Sequence, residues 1–271
     1  MSIDTSAIKT NFQVGDTGSG HPVICIHGNG LNRDLWRHLV PELSRKYRTI
    51  VYELRGMGKA ISVDEAGAKI TVQDHADDLG ALLQALEIER AAIVAHAFGG
   101  FVAMRYALDQ PARISALILA CTSARMTGST PQAVPAWVAT AESEGMEGLV
   151  EKAIARWFVE PFRTANPEIM QRYREMIGAN PPLGYAANGR GIMEYDIADE
   201  VHGISCPTLL ISGASDYSTP VQDHQYLAAR IAQSELKIVP RASHTVPEEQ
   251  AAEFNRMALD FLAKSRLQGR P

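Results

Sequence analysis

The chain has 271 residues, 46% hydrophobic and 21% charged, with a formal net charge of -5 at pH 7, the balance of a soluble globular protein of one large domain or two small ones. The acidic sum argues against a nucleic-acid partner, which needs a basic patch, and no apolar run reaches the roughly 20 residues that cross a bilayer. The opening MSIDTSAIKT has neither the basic region nor the apolar core of a secretory signal, so a cytoplasmic location without membrane contact is expected.

PVICI (22–26) is the first of several short aliphatic runs bounded by turn residues, the pattern of buried parallel strands. RTIVY (48–52), AAIVA (91–95), ALILA (116–120) and TLLIS (208–212) continue the set, and LKIVP (236–240) is a shorter member. Helical stripes lie between them. After Thr71, a candidate N-cap, His75, Leu79, Leu82, Leu83 and Leu86 fall on one face. A second helix is predicted from Phe98 to Gln110, where Pro111 stops it. Phe254, Met257, Ala258, Phe261 and Leu262 form the last stripe. Such alternation predicts an α/β fold, a mostly parallel central sheet flanked by helices.

Residues 122–204 break the alternation. Met146, Leu149, Val150, Ile154, Trp157 and Phe158 make an amphipathic helix, and PEIMQRYREMIGAN reads as another. The expected layout is therefore a core of residues 1–121 and 205–271 with a helical cap, 122–204, inserted between core strands. Five of the nine methionines and two of the three tryptophans fall in that insertion. Most will pack it onto the core, but the excess suits an adaptable apolar roof over a pocket. Cys25, Cys121 and Cys206 are far apart, inside or beside apolar runs, with no Cys-x-x-Cys spacing. They read as buried thiols rather than a disulfide framework or zinc site.

Chemistry gathers at the strand ends. VAHAFGG (94–100) joins a strand to a helix through a sharp turn, with small residues at Ala95 and Gly99. This is the context of the G-x-S-x-G nucleophile elbow, with alanine at both Ala95 and Ala97. Helix N–H groups there can bind an oxyanion. His27, Gly28, Asn29 and Gly30 form a loop after the first core strand that can present a second N–H, that of Asn29. Asp216, in SGASDYSTP, lies just beyond another strand, where catalytic groups collect. His244, in RASHTVPEEQ, follows the last strand. Nucleophile position, acid and base thus run in one chain order.

These motifs (HGNG, LRGMG, VAHAFGG, SGASD, SHTVPEEQ) resemble the α/β-hydrolase superfamily over nearly the whole chain. CTSAR, EGMEGLVEKAIARWF, PFR and NPPLGYAA resemble the cap of 3-oxoadipate enol-lactonases. The resemblance implies that Asp216 orients His244, that His244 is general base and then acid, and that Asn29 and Phe98 supply the oxyanion N–H groups. Position 97 would hold the serine that attacks an ester or lactone carbonyl. Ala97 departs from that pattern. Glu53 and Met57 also stand where relatives often carry other residues, and that turn is assigned a structural role.

The expected ligand is a mostly apolar small molecule with a carbonyl, and no cofactor is implied. His27, Gly28, Arg125 and Trp157 are candidate substrate contacts. A substrate carboxylate would need a cation, for which Arg125, Arg156 and Arg163 are available. No histidine pair has metal-ligand spacing beside carboxylates, so no metal is expected. The oligomeric state, monomer or homodimer, is open. Three readings of Ala97 stay open too: a hydrolase inactivated by Ser-to-Ala replacement, a native enzyme using the His244–Asp216 dyad for proton abstraction, lyase or cofactor-free oxygenase chemistry, and a receptor or pseudoenzyme on the same frame.

Overall fold

The structure is a computed structural model that describes residues 5–63, 65–127 and 130–265. Seven strands form one sheet: β1 (Gly15–Thr17), β2 (Pro22–Ile26), β3 (Arg48–Tyr52), β4 (Ala91–His96), β5 (Ile114–Ala120), β6 (Thr208–Gly213) and β7 (Ser234–Val239). Their spatial order is β1-β3-β2-β4-β5-β6-β7. Every pair is parallel except β1 with β3. The aliphatic runs are strands because they must be covered on both faces: β4, β5 and β6 are buried at every residue. At the sheet edge, β7 is mostly part-exposed and carries alternating polar residues, so its sequence signal is weak. β1 was not anticipated; three residues long and mostly exposed, it shows no hydrophobic pattern.

Helices α1 (Thr5–Asn11) and α2 (Val40–Leu43) precede the stripe helix α3 (Val72–Ala85). Thr71 caps α3 in a capping box: its side chain accepts from the Asp74 N–H, and the Asp74 carboxylate accepts from the Thr71 N–H. α4 (Phe98–Asp109) follows β4 directly, and Gln110 is its C-cap. Between β5 and β6 come α5 (Thr130–Glu144), α6 (Glu147–Trp157), α7 (Glu160–Ala165), α8 (Pro167–Gly178) and α9 (Pro182–Ile192). α10 (Val221–Ala228), α11 (Val246–Glu249) and α12 (Ala251–Lys264) complete the chain. Among the described residues of the insertion, extended pairing is limited to one bridge, Arg125 with Asp196.

The sequence PLGYAANGRGI of α9 hides its helix, because glycine is among the poorest helix formers. The fold explains the glycines. A Cβ on Gly191 would come within 1.7 Å of the Ile70 carbonyl oxygen, and one on Gly184 within 2.2 Å of the Gly56 oxygen. α9 therefore lies with its backbone directly on the core. Asn188 secures it there, donating Nδ2 to the Arg55 carbonyl at 3.0 Å and placing Oδ1 2.6 Å from His75 Nε2. We expect Gly191→Ala to lift α9 and cost roughly 3 kcal/mol of stability, read as a lower urea midpoint with an unchanged slope. A midpoint equal to that of the original would contradict this close docking.

Candidate active site

The turn at Ala97 is strained. Its φ is 48° and ψ -115°, a conformation that residues with a Cβ rarely adopt and that costs on the order of 1–3 kcal/mol. Surrounding contacts enforce it. The Ala97 N–H donates to the Ala120 carbonyl at 2.9 Å. The Ala97 carbonyl accepts from the Gly100 N–H and from the Thr122 hydroxyl, both at 2.8 Å. Glycines admit the close approach: a Cβ on Gly99 would lie 2.5 Å from the Ile26 oxygen, and one on Gly28 3.2 Å from the Ala97 Cβ. Phe98 is the first residue of α4, so its N–H has no intrahelical acceptor. Asn29, Ala97, Phe98 and His244 meet in one cleft, at the carboxyl ends of β2, β4 and β7.

His244 Nδ1 lies 2.8 Å from Asp216 Oδ2. The Asp216 carboxylate also accepts from the Ser218 N–H (2.7 Å), the Thr219 N–H (3.1 Å) and the Thr219 hydroxyl (2.8 Å). Burial acts to raise the Asp216 pKa, but the His244 ring and these donors outweigh it and hold the carboxyl at about 2. An ionised Asp216 takes the Nδ1 proton of His244 in its hydrogen bond and leaves Nε2 unprotonated in the neutral ring. The loop bearing His244 is tied to α6 by the Trp157 carbonyl, which accepts from the N–H groups of His244 and Thr245 and from the Thr245 hydroxyl. Behind it, His96 Nε2 lies 2.7 Å from the His244 carbonyl oxygen. Burial, with the His244 ring, lowers the His96 pKa to about 3, so that ring stays neutral and supports the loop.

Glu249 links the same loop to the insertion, accepting from the Ser243 N–H and the Val159 N–H, each at 2.8 Å. Burial raises its carboxyl to about 7 against an ordinary 4.5, despite those donors. The raised folded value means that the unfolded chain loses this proton first as pH rises, so stability falls between about pH 5 and 8, by roughly 2 kcal/mol. Glu249→Gln, which cannot ionise, is expected to flatten that slope in urea unfolding at the two pH values; an equally steep slope would assign the pH dependence elsewhere.

The fold also brings His96, Cys121 and His244 together, with their donor atoms within 4.8 Å of one another, a grouping invisible in the sequence. One ring nitrogen of each histidine is taken within the protein. His96 faces the His244 carbonyl, His244 faces Asp216, and burial holds the Cys121 thiol well above its ordinary range. The cluster packs around the His244–Asp216 pair.

Above the floor, the cleft walls are apolar: Phe101 from α4, with Met126, Val134, Trp137, Val138, Trp157 and Tyr185 from the insertion. Trp157 thus reaches the cleft. His27, Gly28 and Arg125, the other expected substrate contacts, are not among its lining residues. His27 is fully buried under the loop, with Nδ1 2.8 Å from the Gly28 carbonyl and Nε2 accepting from the Leu54 N–H. Gly28 serves by lacking a Cβ beside His96 and Ala97. Arg125 is exposed and stacks on Tyr226, 5.6 Å from the ring centroid. Arg163 lies in a separate surface groove. Among the described residues, the cation on the cleft wall is Arg156, half-buried, its Nε donating to Ser218 Oγ at 2.8 Å and its guanidinium 5.1 Å from the Trp137 ring centroid. Burial lowers its pKa. Ser218 and Thr219 were missed as cradle residues, although Asp-x-Ser-Thr is a local pattern for side chain-to-backbone bonding. Met57 has the structural role expected of its turn, its Sδ accepting from the Gly30 N–H at 3.2 Å.

A parallel sheet, a strained strand-to-helix turn and a His–Asp pair at adjacent strand ends define a class, and comparison agrees with it. Residues 21–251 match the alpha/beta hydrolase fold family, and the chain belongs to that family. It is 26% identical over 252 residues to 3-oxoadipate enol-lactonase 1 of Acinetobacter baylyi, covering 93% of this chain and 92% of the relative. It is 29% identical over 276 residues to a 2-hydroxy-6-oxononadienedioate/2-hydroxy-6-oxononatrienedioate hydrolase of Cupriavidus pinatubonensis, covering 93% and 91%. Among solved structures, a thermophilic esterase from Thermogutta terrifontis with malate bound superposes with a TM-score of 0.87 at 31% identity, covering 93% of each chain. The relatives are hydrolases. None of the described helices is long and apolar enough to cross a membrane.

Proposed function

We propose that this cleft is the acyl-transfer site of a small-molecule carboxylic ester or lactone hydrolase in which position 97, the nucleophile position, carries alanine. Residues 122–204 act as its cap. One observation carries the reading: Ala97 is held at φ 48° although a methyl group gains nothing from that conformation. The strain makes sense if the turn exists to lift the side chain at 97 into the cleft that it shares with His244. With serine there, Oγ would attack the carbonyl carbon while His244 Nε2 takes its proton. The charge on the carbonyl oxygen would fall to the N–H groups of Asn29 and Phe98. His244 would then protonate the leaving oxygen, and water, activated by the same ring, would hydrolyse the acyl-enzyme. Ionised Asp216 would stabilise the imidazolium in both steps. With Ala97 the pocket and the dyad remain, and acyl transfer stops at binding.

The two relatives are named for carboxylate compounds, 3-oxoadipate enol-lactone and an oxononadienedioate or oxononatrienedioate, and the esterase structure holds malate. A substrate bearing a carboxylate besides the scissile carbonyl is therefore part of the proposal, with Arg156 as the cleft's cation.

A second reading rests on the intact His244–Asp216 pair beside a position without a nucleophile: His244 as base for proton abstraction from a bound carbon acid. Three chains separate the two: the original, Ala97→Ser, and His244→Ala in the original. Hydrolysis of aryl esters and enol-lactones only after Ala97→Ser supports the first. Turnover by the original that His244→Ala abolishes, with Ala97→Ser inert, replaces it with the second. Ligand binding without turnover in every form favours the receptor.

A further inference from the structure

Where α6 gives way to α7, Phe158 and Val159 are extended. Two backbone groups at that junction, the Trp157 carbonyl and the Val159 N–H, lie beyond the reach of helical partners. The segment that carries His244 takes up both. The Trp157 carbonyl accepts from the His244 N–H at 3.0 Å and the Thr245 N–H at 3.2 Å. The Val159 N–H donates to Glu249 Oε1, and Oε2 of the same carboxylate accepts from the Ser243 N–H, each at 2.8 Å. Ser243 directly precedes His244, and its hydroxyl lies 3.1 Å from the Ser215 carbonyl oxygen, next to Asp216. Ser243 and Glu249 are both buried, so water does not replace the carboxylate at the Ser243 N–H. Arg156 and Trp157, just before the junction, are walls of the cleft, and the Trp157 ring centroid is 6.4 Å from that of His244. One carboxylate thus ties a wall of the cleft to the loop of the base.

We propose that Glu249 is a positioning residue for His244. By bridging Ser243 and Val159 it makes the base loop and residues 156–159 of the insertion one body, so that the base stands in place only while that segment is seated. His244 then follows any displacement of Arg156 and Trp157, and the cleft wall and the base are set together. The neighbouring Glu248 also reaches the insertion, accepting from the Tyr173 hydroxyl of α8 at 3.3 Å, but its other side-chain partners, Arg37 and His38, lie outside the base loop. That His244 acts as a base rests on the hydrolase reading; the link itself rests on the hydrogen bonds.

Two substitutions cut the link without altering His244 or Asp216. Glu249→Gln keeps the shape but offers one acceptor oxygen to two N–H groups. Val159→Pro puts a ring carbon where the N–H was, which turns the carboxylate away from the insertion. Val159, at φ -66°, and Phe158, at φ -124° and ψ 141°, already have the backbone that proline and the residue before it require. In the original chain the readout is the far-downfield proton NMR resonance of the His244 Nδ1–Asp216 hydrogen bond, assigned by its loss in His244→Ala; it needs no turnover. Both substitutions are expected to shift or broaden it. In Ala97→Ser, both are expected to lower kcat for p-nitrophenyl acetate about tenfold and to leave KM within about twofold. A bond that only stabilises the fold would lower the urea midpoint and leave the resonance and kcat unchanged, which overturns the proposal. A response to Glu249→Gln with a folded but silent Val159→Pro confines the effect to Ser243 and overturns the link to the insertion; if Val159→Pro does not fold, Glu249→Gln decides. An inert Ala97→Ser with the resonance moved by the substitutions keeps the positioning role and removes the hydrolase reading. An active Ala97→Ser that neither substitution slows, with the resonance unmoved, removes the positioning role and leaves the hydrolase reading.

Discussion

Replacing Ala97 with serine is expected to raise kcat/KM for small aryl esters and enol-lactones by roughly 10⁶-fold over the original chain, the scale lost when such a nucleophile is removed from a working triad. The effect is large because so little else has to change. The backbone at 97 already has φ 48°, held by the Ala120 carbonyl, the Gly100 N–H and the Thr122 hydroxyl. The elbow therefore need not be built, only furnished. Serine adds one atom to a side chain that already lines the cleft with His244. The donors proposed for the oxyanion are main-chain groups of Asn29 and Phe98, which the substitution leaves untouched. Stopped-flow or steady-state assays with p-nitrophenyl acetate measure the gain. A gain of less than about tenfold, in a protein that melts like the original, would mean that the turn does not aim position 97 at a bound carbonyl.

In that serine background, Asp216→Asn is expected to lower kcat/KM by about 10⁴-fold, on the precedent of the same change in another Ser-His-Asp triad. An asparagine can keep the fold of its loop, since one carbonyl oxygen still accepts from the N–H groups of Ser218 and Thr219. What it cannot do is accept a proton from His244 Nδ1 through its amide nitrogen. The ring then turns to the tautomer with its proton on Nε2, and the base facing the cleft is lost. With the Asp216 carboxyl at about 2, the aspartate stays ionised throughout the working range, so the deficit should persist from pH 6 to 9. Circular dichroism should be unchanged. A deficit of only a few-fold would mean that His244 holds its tautomer without Asp216.

Much of this site was legible before the fold. VAHAFGG, HGNG, Asp216 and His244 are local signals at strand ends, and a parallel sheet carries strand ends to one edge. Buried strands such as ALILA were readable because burial on both faces demands continuous aliphatic residues. What escaped depends on partners distant in sequence. α9 is a helix whose glycines make sense only against Gly56 and Ile70. Arg125 and Arg156 look alike as residues; only the packing of Tyr226 and Trp137 sends one outward and the other to the cleft. His27 has the look of a pocket histidine, yet its ring is used up in holding the Gly28 carbonyl and the Leu54 N–H. The clustering of Cys121 with His96 and His244 comes from three separate strand ends and leaves no trace in spacing.

The central claim, that position 97 is a nucleophile position lacking only its oxygen, is tested most directly by covalent labelling. The original chain and Ala97→Ser would each be treated with a fluorophosphonate and weighed intact, and the adduct mapped by peptide sequencing. The account predicts one adduct per chain on the introduced serine, none on the original, and loss of labelling when His244→Ala is added. An unlabelled Ala97→Ser chain that is folded, or an adduct on another residue in both proteins, would contradict it.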